Sequence, residues 1–251
     1  MRKVFVPVEQ ISEDTIIISG EDVAHIRDVL RMKPDDELVV SAGKGINYNC
    51  RIDLIEKDEI RLDIVSQEPD IAELPIRISL YQSLPKSDKL ELVIQKAVEL
   101  GACEVIPVRS ARCVVKLDDS KAEKKRQRWQ KIAEEASKQA GRGAVPEVLP
   151  VMSFDEAVKR ASSSEGIFIP YELSEEYGSL SNLEKEIRSG IKSISVFIGP
   201  EGGFERSEVE AVTKAGGKAI SLGHRILRTE TASIAVLAYI MFVAEMHYNK
   251  Q

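Results

Sequence analysis

From residue 76 onward, short apolar runs recur at 76–81, 104–108, 147–151, 167–169, 194–198 and 219–222, and they constrain the fold more than any other feature of the chain. A strand that reads apolar throughout, with no polar alternation, is covered on both faces. These runs alternate with segments of helical spacing, so the strands run parallel and the pattern predicts an α/β domain built on a parallel sheet. The first helix is well punctuated: Ser87 is its expected cap, Leu90, Val93, Ile94, Ala97 and Val98 form its inner stripe, and Gly101 ends it.

Residues 1–70 follow another rule. Strands are expected at 2–6, 15–19, 37–41, 48–55 and 59–65. In the last two, Cys50, Ile52 and Leu54, then Ile60, Leu62 and Ile64, alternate with polar neighbours. That alternation predicts a small, half-open antiparallel barrel, interrupted by a short helix over 21–30 that ends in Arg31-Met32-Lys33-Pro34. The stretch 66–75 is polar and proline-marked and reads as the linker, which divides the chain into a small β domain over 1–72 and the α/β domain over 73–251.

Two segments near the C-terminus carry the chemistry. The strand Ser195-Val196-Phe197-Ile198 stops at Gly199-Pro200-Glu201-Gly202-Gly203-Phe204, a turn in which glycine lets a ligand approach the backbone. It lacks the Lys-Ser/Thr of a phosphate loop and the spacing of a dinucleotide fingerprint, so neither nucleoside triphosphate nor NAD binding is supported. The second segment, Leu222-Gly223-His224-Arg225-Ile226-Leu227-Arg228-Thr229-Glu230-Thr231-Ala232, mixes bulky apolar, cationic and hydroxyl side chains. Such a loop is expected to be tucked in, with Ile226 and Leu227 buried and Thr229 or Thr231 capping the last helix.

Together these segments resemble the paired signatures of the knotted (SPOUT) RNA methyltransferases, and their wording is similar to the subfamily that methylates N3 of a uridine in 16S ribosomal RNA. His25, Val29-Leu30-Arg31, Leu84-Pro85-Lys86, Lys96, Glu99-Leu100-Gly101, Arg112, Gln139, Arg142 and Pro146 also fall where that pattern expects them. The resemblance implies a SPOUT-type α/β domain with a C-terminal trefoil knot, preceded by a PUA-like RNA-binding barrel. It implies S-adenosylmethionine as cofactor, gripped by Ile198, Gly199, Glu201, Gly203, Leu222, Gly223, Ile226, Leu227 and Thr229. The chain departs from the pattern at Glu205, where the family usually has a Ser or Thr helix cap.

Methylation of uridine N3 requires loss of the imide proton and stabilisation of the charge that spreads onto the uracil oxygens, for which Arg225, Arg228 and Arg112 are the candidates. An arginine in such a loop equally serves to tie it to backbone carbonyls. Glu201 and Glu230 are carboxylates near helix N-termini, and no general base is assigned. Two alternatives stand beside this function: a non-catalytic RNA-binding factor in ribosome assembly, and a knotted methyltransferase acting on tRNA.

The net charge of −6 over 251 residues excludes a protein that merely coats nucleic acid. Its distribution is uneven: residues 109–142 hold eleven Lys or Arg against five Asp or Glu, and seven of the eleven fall on a long helix over 119–140 with Trp129, Ile132, Ala133 and Ala136 inward. That basic face, with the resemblance, makes His25, Arg31, Lys86, Lys124, Lys125, Arg128 and Arg142 the candidate contacts to 16S ribosomal RNA, naked or in the assembled small subunit. Cys50, Cys103 and Cys113 are widely spaced, with no disulfide framework or metal site implied. No apolar run approaches the roughly 20 residues that cross a bilayer, so a cytoplasmic protein without membrane association is expected. The run 234–244 is apolar on every side, which predicts a surplus helix face and a homodimer built on it. Tyr171-Glu172, at the C-terminal end of a predicted strand, occupies a ligand-facing position without an assigned role.

Overall fold

The computed structural model describes residues 3–43, 45–115, 117–171 and 178–248. The chain divides into two compact units, one of Met1–Glu73 with Ser137–Val145, the other of Leu74–Ala136 with Pro146–Gln251.

The small unit holds β1 (Lys3–Phe5), β2 (Thr15–Ser19), α1 (Glu21–Ala24), β3 (Glu37–Ser41), β4 (Ile46–Ile55) and β5 (Glu59–Pro69). The sheet runs β1-β3-β4-β5-β2, antiparallel except for the parallel β1–β3 pair. Alternate residues Ile16, Ile18, Leu38, Val40, Cys50, Ile52, Ile60 and Leu62 fill its core. Burial pushes the Cys50 thiol up to about 12, with Asp63 adding to the shift, so it behaves as a small apolar residue. The predicted helix over 21–30 is a single α turn followed by a π turn, His25–Val29, in which the Leu30 N–H donates to the His25 carbonyl. The wider turn allows Val23, Ile26 and Met32 all to reach the core. The expected linker also differs: a bulge at Asn49/Cys50 lets β5 continue through Ser66–Pro69 against the start of β4.

The large unit holds β6 (Arg77–Ser83), α2 (Lys89–Glu99), β7 (Glu104–Arg109), α3 (Asp119–Ala140, whose last turn belongs to the small unit), β8 (Glu147–Val148), β9 (Met152–Ser153), α4 (Phe154–Ala161), β10 (Gly166–Pro170), β11 (Gly178–Ser179), α5 (Leu180–Arg188), β12 (Ser193–Ile198), α6 (Arg206–Lys214), β13 (Lys218–Ser221) and α7 (Thr229–Tyr248). Its sheet runs β11-β13-β10-β12-β6-β7-β8, with β9 also on β7, and every pair is parallel. The run 147–151 yields only a two-residue strand because Pro150 has no N–H to give the ladder. Inner residues of α2, α3, α5 and α7 cover one face and those of α4 and α6 the other. Asp88, not Ser87, precedes α2, and neither caps it through a side chain; Ser87 sits instead at φ +56.

Helix α7 is long and apolar enough to meet the length and composition of a membrane span, an outcome the run length alone did not anticipate. Its Val236, Leu237, Ile240, Val243 and Ala244 are packed in the sheet's core. Phe242 and Met246 on its other side are 56% and 53% exposed.

Candidate functional site

Strand β12 lies inside the sheet between β10 and β6, so its C-terminal end opens beside theirs, the edge where parallel sheets place ligands. There Gly203 closes a turn by donating its N–H to the Pro200 carbonyl at 2.9 Å, with φ at +67. The turn is compact: a Cβ on Gly199 would stand 3.3 Å from the Gly203 carbonyl carbon, and one on Gly202 would stand 3.2 Å from the Arg112 Cβ. Glu208, buried at the start of α6, accepts the Glu205 N–H and the Ala111 N–H, each at 2.8 Å. The unusual Glu205 therefore leaves its own N–H satisfied, and the same carboxylate braces the turn that carries Arg112.

The second loop joins β13 to α7 and bends at Gly223, φ +107. The two loops meet through Thr229, whose Oγ1 donates to the Gly199 carbonyl at 2.6 Å. The Thr229 hydroxyl thus links the loops where a helix cap was expected. Between them lies a cavity of about 300 Å³, within the range of small-molecule sites. All nine expected cofactor residues line it, with Arg112, Arg225, Arg228, Pro170, Tyr171 and Phe204. Ile226 corrects the expectation of burial: it is 84% exposed, while Leu227 is half-buried. An apolar side chain left open on a cavity wall is one that an occupant, not the protein's own core, would cover.

The three arginines differ. Arg112 donates to the Gly202 carbonyl at 3.0 Å and lies 3.9 Å from Glu205. Arg225 and Arg228 are exposed at the cavity, and their side chains bond to no other described residue, so neither guanidinium ties the loop to backbone carbonyls. The Glu201 carboxylate accepts the Lys86 N–H at 3.1 Å and Lys89 Nζ at 2.9 Å, and Lys89 also lies 3.5 Å from Glu230. Burial alone would raise the Glu201 carboxyl, but Lys89 and the backbone N–H groups outweigh it and hold the group below the ordinary range. Lys89 is raised, chiefly by its bond to Glu201. A carboxylate so committed is a poor proton acceptor, and Lys89 latches the glycine turn to the start of α7.

Among the expected RNA contacts, His25, Arg31, Lys86, Lys124 and Arg128 are exposed, Arg31 at φ +53. Lys125 lies over the Trp129 ring at 5.9 Å, and Arg128 pairs with Glu91 at 2.8 Å. Elsewhere on α3, Lys121 pairs with Asp118, Arg126 with Glu123 and Lys138 with Asp22, so the basic run is partly neutralised. Arg142 corrects the sequence reading: it is 3% exposed and donates from Nε to Glu73 at 3.1 Å, while Glu73 also takes the Gly143 and Ala144 N–H groups. Its guanidinium fastens the small unit and is closed to phosphate. Glu172 lies outside the described residues; Tyr171 is on the cavity wall.

Gln82 and Lys89, near the site, escaped sequence reasoning. Gln82 directly follows the run 76–81, as an amide near the C-terminal end of its strand.

An RNA methyltransferase domain family matches residues 72–241, and an RNA methyltransferase PUA domain family matches residues 18–65. A Bacillus subtilis (strain 168) protein called ribosomal RNA small subunit methyltransferase E is 40% identical over 251 residues, covering 98% of this chain and 98% of its own. A protein of the same name from Aquifex aeolicus (strain VF5) is 31% identical over 90% of this chain and 93% of its own. The crystal structure of a ribosomal RNA small subunit methyltransferase E from Neisseria gonorrhoeae bound to S-adenosyl methionine superimposes with a TM-score of 0.83 at 33% identity, covering 97% and 98% of the two chains.

Proposed function

The chain belongs to the RNA methyltransferase family represented by ribosomal RNA small subunit methyltransferase E, and we propose that it transfers the methyl group of S-adenosylmethionine to N3 of a uridine in 16S ribosomal RNA. One observation carries this reading. The glycine turn and the Leu222–Thr229 loop, distant in sequence, close on one cavity whose lining combines glycine backbone, apolar side chains and arginine.

The residues present fit the cofactor. Gly199 and Gly203 present bare backbone on the cavity wall, a Cβ on Gly199 would press on the turn, and Ile198, Leu222, Ile226 and Leu227 supply apolar wall. When bound, S-adenosylmethionine supplies an electrophilic methyl group on a sulfonium and leaves as the thioether. The protein's part is to position the uracil and hold its charge. Arg225 and Arg228, exposed at the cavity with side chains that pair with no other described residue, stabilise the negative charge that the N3-deprotonated uracil carries on its flanking carbonyl oxygens. Arg112, held by the Gly202 carbonyl, serves to orient the substrate. Glu201, held ionised by Lys89, keeps the first loop in place.

The small unit and the exposed cations of α3 provide the RNA surface, and the partner is 16S ribosomal RNA, either naked or within the assembled small subunit, in the cytoplasm. Phe242 and Met246 make the outer face of α7 the seam of a homodimer. The decisive assay incubates the protein and labelled S-adenosylmethionine with 16S RNA, and separately with small subunits, from a strain deleted for this gene. Methyluridine mapped by mass spectrometry is the expected product. Absence of transfer to both substrates would overturn the proposal in favour of a non-catalytic assembly role, and transfer to tRNA alone would redirect it.

A further inference from the structure

Gln82, the penultimate residue of strand β6, has a fully buried amide and lies in register with Ile198 on the neighbouring strand. An amide in an apolar interior costs several kcal/mol, about 2–7, unless it is hydrogen-bonded. Here both of its polar atoms are engaged. Nε2 donates to the Ser83 carbonyl at 2.9 Å and to Thr229 Oγ1 at 2.9 Å, while Oε1 accepts the Ser233 hydroxyl at 2.6 Å. Turning the amide over would set its oxygen against the Ser83 carbonyl, so the orientation is determined.

That orientation has a directional consequence. Thr229 Oγ1 receives a proton from Gln82 and is left with its own proton to give, which goes to the Gly199 carbonyl at 2.6 Å. One buried side chain thus joins the end of β6, the glycine turn and the first turn of α7. Both groups it controls line the cavity, and Gln82 itself does not.

We propose that Gln82 is a positioning residue for the cofactor: by dictating the direction of the Thr229–Gly199 hydrogen bond, it holds the two cofactor loops in the spacing that S-adenosylmethionine requires. The proposal rests on the methyltransferase reading above. Without the amide, the Thr229 hydroxyl is free to turn and the Gly199 carbonyl loses its assured donor, so the loops share no fixed register. The effect passes through Thr229, which makes substitutions at the two positions interdependent.

The test measures S-adenosylmethionine affinity of the full chain by calorimetry, at a temperature well below each variant's melting point, alongside melting curves. Gln82→Leu and Thr229→Val are each expected to weaken binding about tenfold or more, the effect of one buried hydrogen bond lost. Thr229→Ser, which keeps the hydroxyl, is expected to retain most of the affinity that Thr229→Val loses. The double variant Gln82→Leu/Thr229→Val should be little worse than either single one. If the variants melt earlier but bind with unchanged affinity, Gln82 is only a packing residue and the proposal fails. It also fails if Thr229→Ser binds as poorly as Thr229→Val. Should Gln82→Leu not fold, Gln82→Met, closer in length and without the amide, is measured in its place, and unchanged affinity there overturns the proposal. Wild-type protein that does not bind the cofactor would instead overturn the functional reading.

Discussion

Gly203 holds φ +67, a conformation that a β-branched side chain adopts only with strain, and it faces the cavity. Gly203→Val is therefore expected to remove measurable S-adenosylmethionine binding while far-UV circular dichroism stays that of the wild type. Arg225 and Arg228 lead to a different outcome. Replacing either by Ala should lower kcat by about a hundredfold if it stabilises transition-state charge, with cofactor affinity in calorimetry unchanged. Glu201 gives a pH prediction. Its folded carboxyl lies below the ordinary value of 4.5, so its tie to Lys89 is fully present above that value and is lost only as acid carries the pH through the depressed pKa. Lys89 is raised above 10.5, so the same tie survives until strongly alkaline pH. Cofactor affinity should accordingly be flat through neutrality, and a loss centred near pH 7 would show that another group governs it. The glycine turn was readable from sequence because its geometry admits few other residues. Ile226 was misread because burial was assumed to come from the protein's own core, whereas at 84% exposure on the cavity wall it is left uncovered by the chain.

Helix α7 shows how far an apolar pattern reaches. A run apolar on every side announces two buried faces but does not say which residues belong to which. Ile240 and Val243, plausible seam residues on pattern alone, are 0% and 4% exposed within the sheet's own core, so Asp at either would break the fold instead of an interface. The informative substitutions are Phe242→Asp and Met246→Asp. In light scattering at low micromolar concentration they should convert a dimer to a monomer with an unchanged melting profile, and a wild-type monomer of full activity would refute the dimer. Helix α3 was legible in extent, Asp119–Ala140, and in its buried Trp129, Ala133 and Ala136. Its charge was not, because the partners that neutralise it lie elsewhere in sequence: Glu91 for Arg128 and Asp22 for Lys138. Reversing Lys124, Lys125 and Arg128 to Glu is expected to weaken RNA binding and flatten its dependence on salt, since each lost phosphate contact reduces the slope by about one. An unaltered slope would show α3 to be a solvated face.

At the scale of the whole chain, the alternating barrel and the unbroken apolar runs distinguish two kinds of sheet. Sequence has no comparable mark for the return of Ser137–Val145 to the small unit. That return is made by buried polar partners: Arg142 on Glu73, Lys3 on Asp70 and on the Gly141 carbonyl, and Ser41 Oγ on the Gly143 carbonyl. A fragment beginning at Leu74 keeps every residue that lines the cavity but strands Arg142 without Glu73. The fragment loses the buried Arg142–Glu73 pair, but removal of the small unit opens the segment to water and relieves much of the cost. The fragment is therefore expected to melt below the full chain and still bind S-adenosylmethionine, because the Gln82–Thr229–Gly199 connection and the Lys89 latch lie wholly within it. In the full chain, by contrast, Glu73→Ala removes the carboxylate that Arg142 and the Gly143 and Ala144 N–H groups share, and should destabilise the small unit by about 3 kcal/mol with cofactor affinity unchanged. Calorimetry and thermal melts on both proteins test this. A folded fragment without cofactor affinity, beside a full chain that binds, would place part of the cofactor site in the small unit.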